Sequence, residues 1–374
     1  MKKRAEFLNA IALLLGTTIG AGIFGIPYVF AKAGFLIGLI NLLLLGLIIL
    51  IVNLSVGEIA LRTKKRHMIA GYAKKYLGKF GEYAITFSVL IGIFGAMIAY
   101  IIGEGEALSA IFGGDSLMLS LIFFVIVSAI IWFDLNAVAE SDKIISIIML
   151  FIILFISVLA FGHIDFENLK PFDFSKFLLP YGVVLFAMVG ASAIPEMEGE
   201  LIKQKAKLKK AIIIGTLIPL AVYLLFSFVV VGVSGIKTTE VATIGLGNAL
   251  GKYMVLLGNV FAVLAMATSF ISVGLAMRWM LRYDYGFSKF SSWFISCFVP
   301  LAIFLGGARS FIEVVALTGA IAGGIEGSLL VLTAKEAKKK GERKPEYEIK
   351  LSWWLVGLIM LIFLIGIVYQ FLYY

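Results

Sequence analysis

The ionisable side chains inside the long apolar stretches of this chain are few: Glu104 and Glu106, Glu326, and the pairs Glu58–Arg62 and Arg309–Glu313. Where apolar length buries it, an ionisable group is a functional hypothesis by default. Glu326 lies past the middle of its stretch, where it either titrates or pairs with a nearby basic residue; pairing is the simpler role. The i,i+4 spacing of Glu58–Arg62 and of Arg309–Glu313 puts each pair on one helical face as a structural ion pair. Glu104 and Glu106 fall near the end of a stretch, where solvated carboxylates are the expectation and a wet vestibule the alternative. Cys297 is the single cysteine, and His67 and His163 occur in different loops. Disulfides, Cys/His metal sets and clustered acid–base groups are therefore not expected, so no catalytic residue and no metal site is assigned. No phosphate-cradling glycine loop ending in Lys-Ser or Lys-Thr occurs, which argues against ATP as an energy source.

Glycine, proline and hydroxyl residues carry more information. Residues 16–27 read Gly16-Thr17-Thr18-Ile19-Gly20-Ala21-Gly22-Ile23-Phe24-Gly25-Ile26-Pro27. Glycine loses backbone entropy in a helix and proline removes an internal hydrogen bond, so a continuous helix here is unfavourable. In lipid the freed backbone groups must be satisfied by protein, water or a ligand. The other reading is close helix packing, since Gly16 and Gly20 have small-xxx-small spacing. A second interrupted stretch, Leu185-Phe186-Ala187-Met188-Val189-Gly190-Ala191-Ser192-Ala193-Ile194-Pro195-Glu196, favours the break. Two Gly/Pro-interrupted helices at corresponding positions of inverted halves point to a shared binding site. Open helix ends there present N–H groups to a carboxylate and carbonyls to a cation.

The elements that must position these residues follow from hydropathy. The chain is 61% hydrophobic and 15% charged, with a mean hydropathy of +1.05. Runs of 18 or more apolar residues read as membrane spans. About eleven are predicted, at 6–33, 35–61, 80–111, 116–134, 141–162, 176–200, 209–234, 251–280, 288–306, 310–334 and 351–373, with short helices at 68–77 and 238–248. The Met-Lys-Lys-Arg start opens the first span rather than a cleaved leader. If the amino terminus is cytoplasmic, alternation leaves only Lys32, Lys170, Lys176, Lys237, Lys252 and Arg309 of the 32 basic residues outside. That bias fits the positive-inside rule and puts the carboxyl terminus outside a cell (inner or plasma) membrane. The net charge of +9 is thus a loop property facing anionic lipid, and nucleic acid is not an expected partner.

The stretch Gly16 to Tyr28 resembles the first helix of the amino acid–polyamine–organocation superfamily, closest to the amino acid/auxin permeases and the hydroxy and aromatic amino acid permeases. Pro195-Glu196-Met197-Glu198-Gly199-Glu200, Ala267-Thr268-Ser269-Phe270 through Leu275, and Gly319 through Gly327 resemble the sixth, eighth and tenth helices of such permeases. The resemblance implies an all-α membrane protein with the LeuT-type fold of 5+5 inverted repeats. Residues 1–374 would form one transporter domain: repeat one at about 6–162, repeat two at about 176–334, and an extra helix at 351–373. It implies that backbone at Gly20, Ala21, Gly22 and Ile23 holds a substrate carboxylate. Carbonyls at Ala187, Val189 and Gly190 would meet the amino group, while Tyr100 and Phe186 line the pocket or merely pack. In sodium-coupled relatives an ion lies between the first and eighth helices. The matching groups are the carbonyls of Gly16, Ile19 and Ala265 and the hydroxyls of Thr268 and Ser269, an oxygen-only set suited to a hard cation. Those hydroxyls could instead bond carbonyls one turn back. Some proton-coupled relatives place a lysine in mid-helix five; here Lys143 lies at the start of that span and residues 147–155 hold no ionisable group.

The expected function is therefore secondary, cation-coupled symport of a neutral, aromatic or aliphatic, amino acid by alternating access. Sodium and proton both remain open as the coupling ion, and no other cofactor is implied. A proton-driven transporter or exchanger of another small organic amine is the alternative. A channel is less well supported, since no helix carries a polar face along its length. The partners implied are the amino acid and the bilayer; no obligatory protein partner is evident.

Overall fold

The protein, described from a computed structural model, is covered over residues 2–133 and 137–374; the side chains of Lys2, residues 137–147 and Asp284 lie outside the described residues, and with them Lys143 and Ile147. Helices α1 (Lys2–Thr18) and α2 (Gly22–Ala33) are two arms of the first span, bent by 57° where the glycines predict a break. α3 (Phe35–Arg62), α4 (Ile69–Phe112), α5 (Ser116–Phe133) and α6 (Ala137–Phe161) complete the first half. The sixth span is likewise divided, into α7 (Tyr181–Met188) and α8 (Ile194–Glu200). α9 (Leu208–Ser234), α10 (Ala242–Leu250), α11 (Lys252–Trp279), α12 (Lys289–Leu305), α13 (Phe311–Thr318), α14 (Gly324–Lys340) and α15 (Trp353–Tyr373) follow.

Two elements differ from expectation. The short helix at 68–77 and the third span form the single helix α4, kinked at Gly78 (φ 77°, ψ −165°). Glycine accepts positive φ without a Cβ clash, so the chain bends there without a loop. The tenth span is not one α-helix: α13 and α14 are joined by a π-helical turn over Gly319–Gly323. A π turn displaces carbonyls from the ladder, and one of them, Ala322 O, accepts a hydrogen bond from Ser88 Oγ on α4 at 2.6 Å.

Among the described residues, eight helical spans are long and apolar enough to cross a membrane, and the bent α1–α2 pair makes a ninth. The remaining two predicted spans appear as shorter apolar helices, Ile148–Phe161 and Lys289–Leu305. Their outer faces are apolar: Leu47, Val125 and Phe151 are more than half exposed. In water that would be an aggregation hazard; in lipid it is the natural solvent contact. α15 packs on α14, and Lys335 and Lys339 sit over the Trp353 ring at 4.9 and 5.5 Å.

Small residues bring the half-helices together. α2 packs on α7, α1 on α8, and α7 on α13 and the π turn. A side chain at Gly319 would collide with the Gly182 carbonyl, so only glycine allows that approach. At one end of the bundle, buried Glu58 binds Arg62 Nε at 2.8 Å, Lys338 Nζ at 2.6 Å and the Ile349 amide at 2.9 Å. The predicted Glu58–Arg62 pair is thus the centre of a contact tying α3 to α14 and to the segment before α15.

Candidate substrate and coupling-ion site

Both broken spans place their gaps side by side. α1 ends at Thr18, and α2 starts with short-range bonds from Ile23 N to Gly20 O and from Phe24 N to Ala21 O. The N–H groups of Gly20 and Ala21 have no backbone acceptor among the described residues. Such amides at a helix N-terminus are a ready site for a carboxylate. Across from them, α7 stops as Val189 turns extended (φ −64°, ψ 127°), and α8 resumes after a 3₁₀ turn at Ala191–Ala193.

Two contacts join the gaps. A Cβ at Gly22 would stand 2.7 Å from Ala187 Cα, and one at Gly190 would stand 2.6 Å from Thr18 Oγ1. Gly22 is therefore a packing glycine, whereas a Cβ at Gly20 would meet no atom within 4 Å. Ala21, Ile23 and Ala187 are buried, while Gly20, Phe186 and Val189 keep partial exposure. Tyr100, on α4, is buried.

Sequence reasoning passed over Tyr223, the residue that links the breaks. Its hydroxyl, fully buried on α9, lies 2.7 Å from Thr18 O and 3.1 Å from Ala187 O. The ends of α1 and α7 thus share one donor, and each carbonyl keeps a second lone pair. Tyr100 is an electrostatic neighbour of Tyr223. The available signal was a lone phenol in an otherwise apolar span, because a buried tyrosine hydroxyl usually finds a partner.

The expected ion ligands divide between elements. Gly16 and Ile19 belong to the first span, which packs on α6, α8 and α9. Ala265, Thr268 and Ser269 lie on α11, which packs on α4, α5, α6, α10 and α12. Thr268 Oγ1 donates to the carbonyls of its own helix, to Leu264 O at 2.9 Å or Ala265 O at 3.1 Å.

Three ionisable groups stand differently from expectation. Arg309 does not pair with Glu313 among the described residues: Ser310 caps α13, leaving Arg309 before the helix, where it lies 4.2 Å from the Phe304 ring centroid. The i,i+4 spacing therefore has no helix to act through. Glu326 is buried without an ion pair among the described residues. Glu104 is not solvated; it is completely buried. Glu106 lines a cavity of about 350 Å³ with Ser116, Ser120 and Arg309. Glu196, the carboxylate nearest a break, lines a separate crevice of about 310 Å³ with Leu13 and Arg66.

With this geometry the comparisons are consistent. The chain belongs to the tryptophan/tyrosine permease family, whose profile matches residues 3–371. The tyrosine-specific transport system 2 of Haemophilus influenzae is 29% identical over 306 residues, covering 74% of this chain and 73% of its own. The glutamine transporter 2 of Aliivibrio fischeri is 23% identical, covering 84% and 85% respectively. Among solved structures, MhsT in complex with L-phenylalanine superposes with a TM-score of 0.66 at 14% identity, covering 98% of both chains. Mhp1 in its inward-facing conformation gives 0.64 at 14% identity, covering 98% of this chain and 88% of its own. The fold is the LeuT-type transporter fold.

Proposed function

We propose that this protein is a secondary active transporter that moves a neutral amino acid across the membrane by alternating access. The observation that carries it is the pairing of two broken helices, whose amides at Gly20–Gly22 lie against the carbonyl end of α7 at Ala187. A zwitterion needs those two backbone features and nothing more: amides for its carboxylate and carbonyls for its ammonium. No charged side chain belongs to the proposed site of Gly20, Ala21, Gly22, Ile23, Tyr100, Phe186, Ala187, Val189 and Gly190, which favours a neutral side chain on the substrate. The tyrosine-specific and phenylalanine-bound relatives support an aromatic one.

One cation accompanies the amino acid in this reading. A sodium site would use Gly16, Ile19, Ala265, Thr268 and Ser269. Proton coupling is the second reading, and it is favoured by a fully buried carboxyl, Glu104, without a hydrogen-bond partner among the described residues. The amino terminus is placed in the cytoplasm and the carboxyl terminus outside a cell membrane, on the asymmetry of basic residues. Binding and uptake of a radiolabelled amino-acid panel by purified protein in liposomes, with and without sodium, tests the reading. Saturable uptake of an aromatic amino acid is expected; no binding or exchange of any amino acid would end it.

A further inference from the structure

Glu104 is 0% exposed, and both of its carboxyl oxygens are buried without a hydrogen-bond partner among the described residues. It lies two turns inside the end of α4, so it is no frayed terminus. Its flanking residues press on neighbours: Gly103 faces Met266 on α11 and Phe311 on α13, and Gly105 faces Ser120 and the Ser116 carbonyl on α5. The polar group facing the carboxyl is the Ala267 backbone on α11, without hydrogen-bond geometry.

The elements packed against α4 carry few ionisable groups. α5 and the π turn have none; α3 has Glu58 and Arg62; α11 has Lys252, Tyr253 and Arg278; α12 has Lys289 and Cys297; α13 has Glu313; α14 has Glu326, Lys335, Glu336 and Lys338–Lys340. α4 itself adds Tyr100 and Glu106 nearby. Among the described residues none hydrogen-bonds either Glu104 oxygen. A lone carboxylate charge in such a place is expensive, whereas a carboxylic acid is tolerated. The group is also placed to communicate. Tyr100 lies one turn back on the same face of α4 and is the electrostatic neighbour of Tyr223, which bonds both helix breaks. In the other direction, Glu106, Ser116, Ser120 and Arg309, with Ile102, Leu117 and Phe304, line a cavity of about 350 Å³.

We propose that Glu104 is the proton-carrying site of the transport cycle, a proposal that rests on the transport reading above. When the amino-acid site opens to one side, the Glu104 carboxylate takes one proton from water there. With the amino acid bound and water excluded, burial then requires that the proton stay, so loaded occlusion and protonation go together. Opening to the other side hydrates the carboxyl, and the proton leaves to water on that side. One O–H bond forms and one breaks; the emptied transporter returns with the carboxylate deprotonated and hydrated by water in the vacated amino-acid site, so one positive charge crosses with each zwitterion.

The test uses purified full-length protein in proteoliposomes with radiolabelled L-tyrosine as probe. At one proton per amino acid, a gradient of one pH unit supports about tenfold accumulation by the wild type. In E104Q the accumulation ratio should fall to about one, and tyrosine exchange should lose its pH dependence. E326Q, which removes the other buried carboxyl that forms no ion pair among the described residues, should keep the gradient-driven accumulation. Accumulation by E104Q at the wild-type ratio, or its loss in E326Q with E104Q intact, overturns the assignment. Should E104Q fail to fold, wild-type vesicles holding a pH dye supply the same decision: tyrosine entry must carry protons with it, and sodium-driven entry without proton movement overturns the proposal. Failure of the wild type to exchange tyrosine, tryptophan, phenylalanine or glutamine would instead overturn the transport reading itself.

Discussion

The phenol oxygen of Tyr223 lies 2.7 Å from the carbonyl oxygen of Thr18, although 205 residues separate them along the chain. The same oxygen is 3.1 Å from Ala187 O. One buried hydroxyl from α9 thereby holds the carbonyl ends of α1 and α7 at a common point, between the two gaps proposed for substrate.

Tyr223→Phe removes that donor and adds nothing. The single shared proton is lost to the Thr18 and Ala187 carbonyls together, a change of about 1–3 kcal/mol. Thermal stability in detergent should fall, and tyrosine uptake in liposomes should fall more steeply than membrane insertion. Uptake at the wild-type rate by the variant would show that the bridge is dispensable.

Gly20 and Gly22 should respond differently to alanine. At Gly22 the new methyl group meets Ala187 at 2.7 Å, backbone included, so the α2–α7 contact must open. Overpacking of this kind costs typically about 1–3 kcal/mol, and the melting temperature should drop. At Gly20 the methyl group enters open space; stability should hold while affinity for the amino acid weakens. Equal melting temperatures for the two variants would contradict the packing role given to Gly22.

Glu58 is buried between two cations and an amide. Glu58→Ala leaves Lys338 without its carboxylate and Arg62 with Glu348 alone, and breaking a buried pair costs on the order of 3–5 kcal/mol. The variant should express poorly or melt early, and Lys338→Ala should be milder because Arg62 still pairs. Limited proteolysis of the segment 341–350 reads the outcome directly: faster cleavage in Glu58→Ala is expected.

The topology is tested by fusion. A reporter active only in the cytoplasm should work after Lys344 and fail after Tyr374. Matching activity at the two sites would contradict an odd number of crossings and the cytoplasmic amino terminus.

Much of the fold was legible because membrane insertion leaves local marks. Runs of apolar residues located the spans, and the Gly-Ala-Gly at 20–22 and Val189-Gly190 marked both breaks, since a backbone that cannot stay helical announces itself in residue type. The ladder defects that keep a helix continuous were harder. Gly78 bends α4 without ending it, and the π turn at Gly319–Gly323 reads as ordinary helix in the sequence, while the neighbours packed on it, Gly182 and Ser88, come from other elements.

Side-chain roles divided along the same line. Glu58 and Arg62 pair as their spacing predicts because one helix carries both. Arg309 and Glu313 have the same spacing, but the helix starts between them, at a cap made by Ser310. Glu104 has the sequence position of a solvated helix end, and only the packing of α5, α11 and α13 around it makes it dry. Tyr223 meets Thr18 and Ala187 only once α9 lies against α1 and α7. Apolar length and backbone propensity are local quantities that a sequence states outright, whereas burial and hydrogen-bond partnership belong to neighbours that only tertiary packing supplies.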